Sequence, residues 1–97
     1  MRYELILSPE AVADLRRLPA SLRAAVREAL ERHLRHEPTK LSKSRIKRLR
    51  GVSRPQYRLR VDEVRVYYDV TEGQVEILAV VLKADAADWL KENGGEL

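Results

Sequence analysis

Two tight reversals in the second half of the chain constrain its fold more than any other feature. Gln56 to Val61 alternates, with Tyr57, Leu59 and Val61 on one side and Gln56, Arg58 and Arg60 on the other. Period two is the mark of a half-buried strand. Asp62-Glu63 then makes a tight turn, after which Val64, Val66, Tyr68 and Val70 face one way and Arg65, Tyr67 and Asp69 the other. Thr71-Glu72-Gly73 forms a second turn, its glycine free to take positive φ. Val75 to Leu82 (VEILAVVL) is nearly all apolar, as expected of a central strand covered on both faces. Strands joined this closely pair antiparallel.

The first half is helical between strand-like ends. Residues 2–7 alternate, with Tyr3, Leu5 and Leu7 sharing a face. Ser8-Pro9-Glu10 reads as a helix start, serine capping and proline in the first turn. Val12, Leu15 and Leu18 form an apolar stripe that Pro19 breaks. Ser21 is expected to cap a second helix, whose stripe is Leu22, Val26, Leu30 and Leu34 and whose end is set by Pro38. Gly51 to Pro55 reads as a loop. Lys83-Ala84-Asp85 leads into a last helix, Ala86 to Lys91, with Trp89 and Leu90 as its anchors. The expected order is β-α-α-β-β-β-β-α. This gives an α+β fold: a small twisted, mainly antiparallel sheet with an N-terminal helical hairpin on one face and a short C-terminal helix. The first strand is free to pair parallel with a central strand by a crossover.

Charge is distributed very unevenly along this frame. Lys40 to Arg60 holds nine basic side chains and no acid, whereas residues 61–97 carry nine acids against three bases. The overall charge of +4 hides that contrast. A basic segment continuing into strands can draw a polyanion even when the net charge is modest. Lys43, Arg45, Lys47, Arg48, Arg50 and Arg54 are thus candidate nucleic-acid contacts. On the strand that follows, Arg58 and Arg60 share a face, roughly 7 Å apart, and Arg65 and Tyr67 fall on the same side of the hairpin. Guanidinium forks match phosphate oxygens, and a tyrosine beside them can stack on a base. Arg65 is expected to face solvent.

Other chemistries find little support. Cysteine is absent, which excludes disulfides and thiolate metal sites. His33 and His36 are three apart on the second helix, but no third ligand is evident, and they read as solvated surface histidines. No glycine-rich phosphate loop, HExxH or Ser-His-Asp arrangement is present, and Asp62-Glu63 reads as a solvated turn. The first residues are too short in apolar length for a signal peptide, and no run is long enough to span a bilayer. Ninety-seven residues suit a single domain, 1–97, and the cytoplasm is the expected location.

The chain resembles the RelE/ParE superfamily of bacterial toxins from type II toxin–antitoxin pairs. The resemblance rests on SPEAVADLRRLP in the first helix, RLRG at Arg48–Gly51, YRLRVDEVRVYYDV at Tyr57–Val70, and VEILAVVLK before a short last helix. It implies a metal-free, cofactor-free ribonuclease that cuts mRNA in the ribosomal A site, the 2′-hydroxyl attacking the adjacent phosphate to leave a 2′,3′-cyclic product. Arg58 and Arg60 then stand where the family has lysines, Arg65 where it has the arginine that grips the scissile phosphate, and Arg50 where an arginine holds ribosomal RNA. Lys83 is the nearby candidate acid. Ala84 and Leu90 stand where RelE enzymes usually have an arginine and a tyrosine. The implied partners are a cognate antitoxin, mRNA and ribosomal RNA, with no membrane and no metal. The resemblance also admits a ParE-like inhibitor of DNA gyrase. Apart from it, the residues alone admit a non-catalytic basic binding module.

Overall fold

The computed structural model describes residues 1–96. Along the chain lie β1 (Glu4–Leu7), α1 (Pro9–Arg17), α2 (Ala20–Ala29), β2 (Ile46–Arg48), β3 (Val52–Arg54), β4 (Tyr57–Val61), β5 (Val64–Thr71), β6 (Gln74–Leu82), α3 (Lys83–Asn93) and β7 (Gly95–Glu96). The main sheet has the order β1-β6-β5-β4-β2. β1 runs parallel to β6, and every other pairing in this sheet is antiparallel. The α+β fold, the crossover of the first strand and both turns are as expected. β3 and β7 form a separate two-stranded piece, where a loop and a chain end were expected.

Period two decides which face of each strand is buried. Leu59, Val66, Tyr68, Val75 and Ile77 are completely buried, together with Val26 and Leu34 from the helical hairpin. Fully burying one such aliphatic side chain contributes about 1.5–3 kcal/mol. α1 is fixed to the sheet by its own first turn. The Ser8 hydroxyl accepts from the Ala11 N–H and donates to the Leu78 carbonyl. β6 slips register between Ala79 and Ile77, so Leu78 has no partner in β5. That bulge leaves a carbonyl for Ser8, an example of a bulge re-aiming local polar groups.

α2 departs from expectation at both ends. It starts at Ala20 after Pro19, with no side-chain cap, so Ser21 lies inside the first turn. At its far end Leu30–Leu34 is a π-helical turn, and Pro38 follows it, fully buried. The Tyr68 hydroxyl donates to the Pro38 carbonyl at 2.6 Å. This bond ties the start of the basic segment to the core, and burial pushes the Tyr68 phenol far above its ordinary range.

α3 begins at Lys83, three residues earlier than expected, and packs on β5 and β6. Its anchor is Trp89, whose ring stacks on Tyr67. The sheet therefore carries the helical hairpin on one face and α3 across part of the other.

Candidate functional site

The register of the outer face brings most of the expected cations together. Arg58 stands opposite Tyr67 on β5 and opposite Lys47 on β2, and Arg60 stands opposite Arg65. Beyond Arg60, its N–H donates to the carbonyl of Arg45 at 2.8 Å, which brings the lead into β2 alongside. One row, Arg45–Arg60–Arg65, is thus basic throughout, and the other, Lys47–Arg58–Tyr67, ends on a tyrosine. Arg60, Lys47 and Arg45 are exposed, Arg58 is half-buried, and Arg65 is buried.

Arg65 corrects the expectation of a solvent-facing side chain. It is 8% exposed and donates through Nη1 to the carbonyls of Asp62, at 2.9 Å, and Val64. Asp62 has a φ of +50°, an uncommon value for a residue with a side chain. The two-residue turn uses it to lend its carbonyl to Arg65. The other turn carbonyl, Glu63, accepts from the Lys83 N–H at 2.6 Å. One tight turn therefore fixes the places of both Arg65 and Lys83.

Arg58 carries the site's electrostatic strain. Its Nε is the one buried side-chain nitrogen or oxygen among the described residues with no hydrogen-bond partner. Burial, then the Arg65 charge, lower the pKa of its guanidinium; Arg60 adds to the effect and Tyr67 opposes it. Burial likewise raises the Tyr67 phenol above its ordinary value. An unsatisfied buried donor beside two like charges is stabilised by an anion placed between them. Next to this pair opens a cleft of about 770 Å³ lined by Arg60, Arg65 and Lys83, with Asp62, Glu63 and the first residues of α3.

Three other residues sit in roles different from those expected. The Tyr67 ring is buried with its centroid 4.8 Å from that of Trp89, so its open face is taken by the protein itself. Arg54 is ion-paired with Asp69 at 2.7 Å and with Glu76 at 3.2 Å. Arg48 stands on the other face, with its guanidinium 5.2 Å from the centre of the Tyr57 ring and a hydrogen bond to the Gln56 carbonyl. Lys43 and Arg50 are exposed in the segments flanking β2. His36 is exposed, but His33 is half-buried in a basic hollow. Among the described residues no group of three metal-ligating side chains comes together, and no helix is long and apolar enough to cross a membrane. Two features went unread in the sequence: Trp89 as the cover on Tyr67, and Asp62-Glu63 as the wall of the cleft.

Comparison with known proteins identifies the lineage. The family model of the ParE toxin of the type II toxin–antitoxin system parDE matches residues 5–86. The chain belongs to this toxin family. Among solved structures, the toxin resembles a chain of the RelBE2 toxin–antitoxin complex of Mycobacterium tuberculosis, with a TM-score of 0.70, 27% identity, and coverage of 84% of this chain and 99% of that one. A chain of the RelE–RelB complex of Pyrococcus horikoshii matches at 0.70 and 26% identity, covering 86% and 97%. A free mutant of Escherichia coli RelE matches in fold at 0.69 and 24% identity, covering 95% and 94%. No curated protein matches. The expected RelE/ParE superfamily is therefore the right one, and the match spans the hairpin that carries Arg58, Arg60 and Arg65.

Proposed function

We propose that this toxin is a metal-independent, ribosome-dependent mRNA endonuclease that inhibits translation in the cytoplasm, held in check by a cognate antitoxin. The observation that carries the reading is the partnerless Arg58 Nε close to the charge of Arg65, which itself lines a cleft with Arg60 and Lys83. The likeness to chains from RelBE complexes supports it. In this reading Arg58 and Arg65 hold the scissile phosphate and stabilise the charge that grows as the 2′-oxygen attacks phosphorus. Electrostatic stabilisation of this kind supplies most of the catalysis when acid–base groups are poor. Arginine hardly deprotonates, so Arg60 serves binding and charge stabilisation. The bond from phosphorus to the 5′-oxygen breaks, Lys83 gives that oxygen a proton, and the 2′-hydroxyl proton passes to solvent. Lys47 and Arg45 extend the grip on RNA, and exposed Lys43 and Arg50 face ribosomal RNA. The antitoxin brings acidic side chains to the same arginines.

The test is cleavage of mRNA on purified ribosomes by wild type, Arg65→Ala, Arg65→Lys and Lys83→Ala, with circular dichroism as the folding control. Arg65→Ala should abolish cleavage and Arg65→Lys leave a remnant, because lysine keeps the charge and loses the fork. Lys83→Ala should slow cleavage more than it weakens binding. Full cleavage in both alanine variants would overturn the assignment. The match to the ParE model favours one second reading, inhibition of DNA gyrase. Gyrase inhibition by a wild type that leaves mRNA intact would establish that reading instead.

A further inference from the structure

The cleft that Arg65 lines is the first of three hollows linked by shared lining residues. Arg60 lines it and also lines a second hollow of about 300 Å³ with Ser44, Arg45 and Asp62. Arg45 in turn lines a third, of about 180 Å³, with Arg32, His33, Glu37 and Lys40. The main-chain bond from Arg60 to Arg45 holds together the two residues through which the middle hollow shares its lining with the other two. We infer that the three hollows form one track for the backbone of a single-stranded RNA, and that Arg32, His33 and Arg45 make a distal phosphate seat at its far end. This rests on the reading of the Arg58–Arg65 face as an RNA site.

Three observations carry the inference. First, Arg32, Arg45 and Arg60 are in no ion pair among the described residues. The acid in the distal seat, Glu37, lies 3.5 Å from Lys40 and offsets that cation, so Arg32 and Arg45 keep their charge for a ligand. Second, Arg32 and His33 stand on the π-helical turn. Such a turn displaces side chains from the regular helical face and recurs at functional sites. Third, the middle hollow offers Ser44, Arg45, Arg60 and Asp62 and no apolar side chain. A protein segment crossing it would find no anchor, whereas a sugar–phosphate backbone needs none. Positive grooves that follow a backbone are how single strands are held without sequence preference.

The experiment measures binding of fluorescein-labelled oligouridylates, a trinucleotide and a dodecanucleotide, across a range of salt. Wild type, Arg58→Met, Arg32→Gln/Arg45→Gln and Arg32→Lys/Arg45→Lys are compared. The slope of log affinity on log salt should be steeper for the longer RNA. The glutamine pair should flatten that slope by about 1.4, the loss of two phosphate contacts on a single strand, and the lysine pair should restore it. The exposure of both arginines makes folding of these variants expected. A glutamine pair that keeps the wild-type slope overturns the track, including the case where it instead loses an acidic antitoxin. If Arg58→Met still weakens trinucleotide binding in that case, the arginine-face reading stands alone. A wild type that holds neither RNA overturns the track and leaves the function to the ribosomal assay.

Discussion

Tyr67 and Trp89 lie face to face, with ring centroids 4.8 Å apart and planes within 6° of parallel. Tyr67 stands in register beside Arg58, so this stack seats α3 on the same sheet face as the arginines. α3 has no fully buried residue, and Trp89 is its chief hold on the sheet. Trp89→Ala should therefore cost about 2 kcal/mol, from the lost stack and its half-buried area, and Trp89→Phe less than half of that. Urea denaturation followed by circular dichroism measures this, since the protein's one tryptophan is the residue replaced.

Arg58 is held at a cost to the fold. Its Nε has no partner, and burial next to Arg65 disfavours its charge. Arg58 is half-buried, and replacing a partly desolvated, poorly compensated charge by an apolar side chain of similar volume is commonly neutral or stabilising. Arg58→Met should raise stability by about 1 kcal/mol and abolish toxicity in growing bacteria. A variant that is both less stable and fully toxic would show that Arg58 is structural.

How far the chain can be read in advance follows from the range of its signals. The Tyr57–Val70 hairpin was legible because alternation and a two-residue turn are local, and they put Arg58, Arg60, Arg65 and Tyr67 on one face. Alternation says which face a side chain takes and nothing about what covers it, so the burial of Tyr67 by Trp89 and of Arg65 was not legible. The pairing of Arg54 was hidden for a similar reason. Lys40 to Arg60 has no acid of its own, and the partners Asp69 and Glu76 come from β5 and β6. β3 and β7 are too short to show a period. The π-helical turn leaves the spacing of Leu30 and Leu34 intact, and so leaves no trace in the sequence pattern.

Asp69 organises the loop that leads into the arginine strand. It is 8% exposed and accepts from Arg54 Nε and from the Gln56 N–H, both at 2.7 Å. The Gln56 side chain in turn accepts from the Val70 N–H. Asp69→Ala leaves the part-buried Gln56 N–H without its partner and should cost about 1–2 kcal/mol. Arg54→Ala should cost less, because the Arg54 side chain is largely exposed and Asp69 retains Gln56. Denaturant midpoints of the two single variants and the double variant give the coupling energy; fully additive losses would mean that the ion pair contributes nothing.

His33 gives the distal seat a dependence on pH. Burial, then the charges of Arg45 and Arg32, hold its pKa below the ordinary histidine value. Lys40 also lines the hollow, and Glu37 is the acid there, close to Lys40. In the unfolded chain His33 takes up a proton near pH 6.5, whereas the folded protein resists it until the pH is lower. Stability contributed by the neutral ring is thus present above that pH and is lost as the pH falls through it. An RNA phosphate in the seat reverses the preference, because it favours the imidazolium beside it. Lowering the pH from 7.5 to 5.5 should therefore weaken the free protein and tighten its hold on the longer RNA. His33→Gln should remove a large part of both trends. Proton uptake on binding, measured by calorimetry in two buffers of different ionisation enthalpy, checks the second effect directly. Equal uptake by wild type and His33→Gln would place the titrating group elsewhere on the protein.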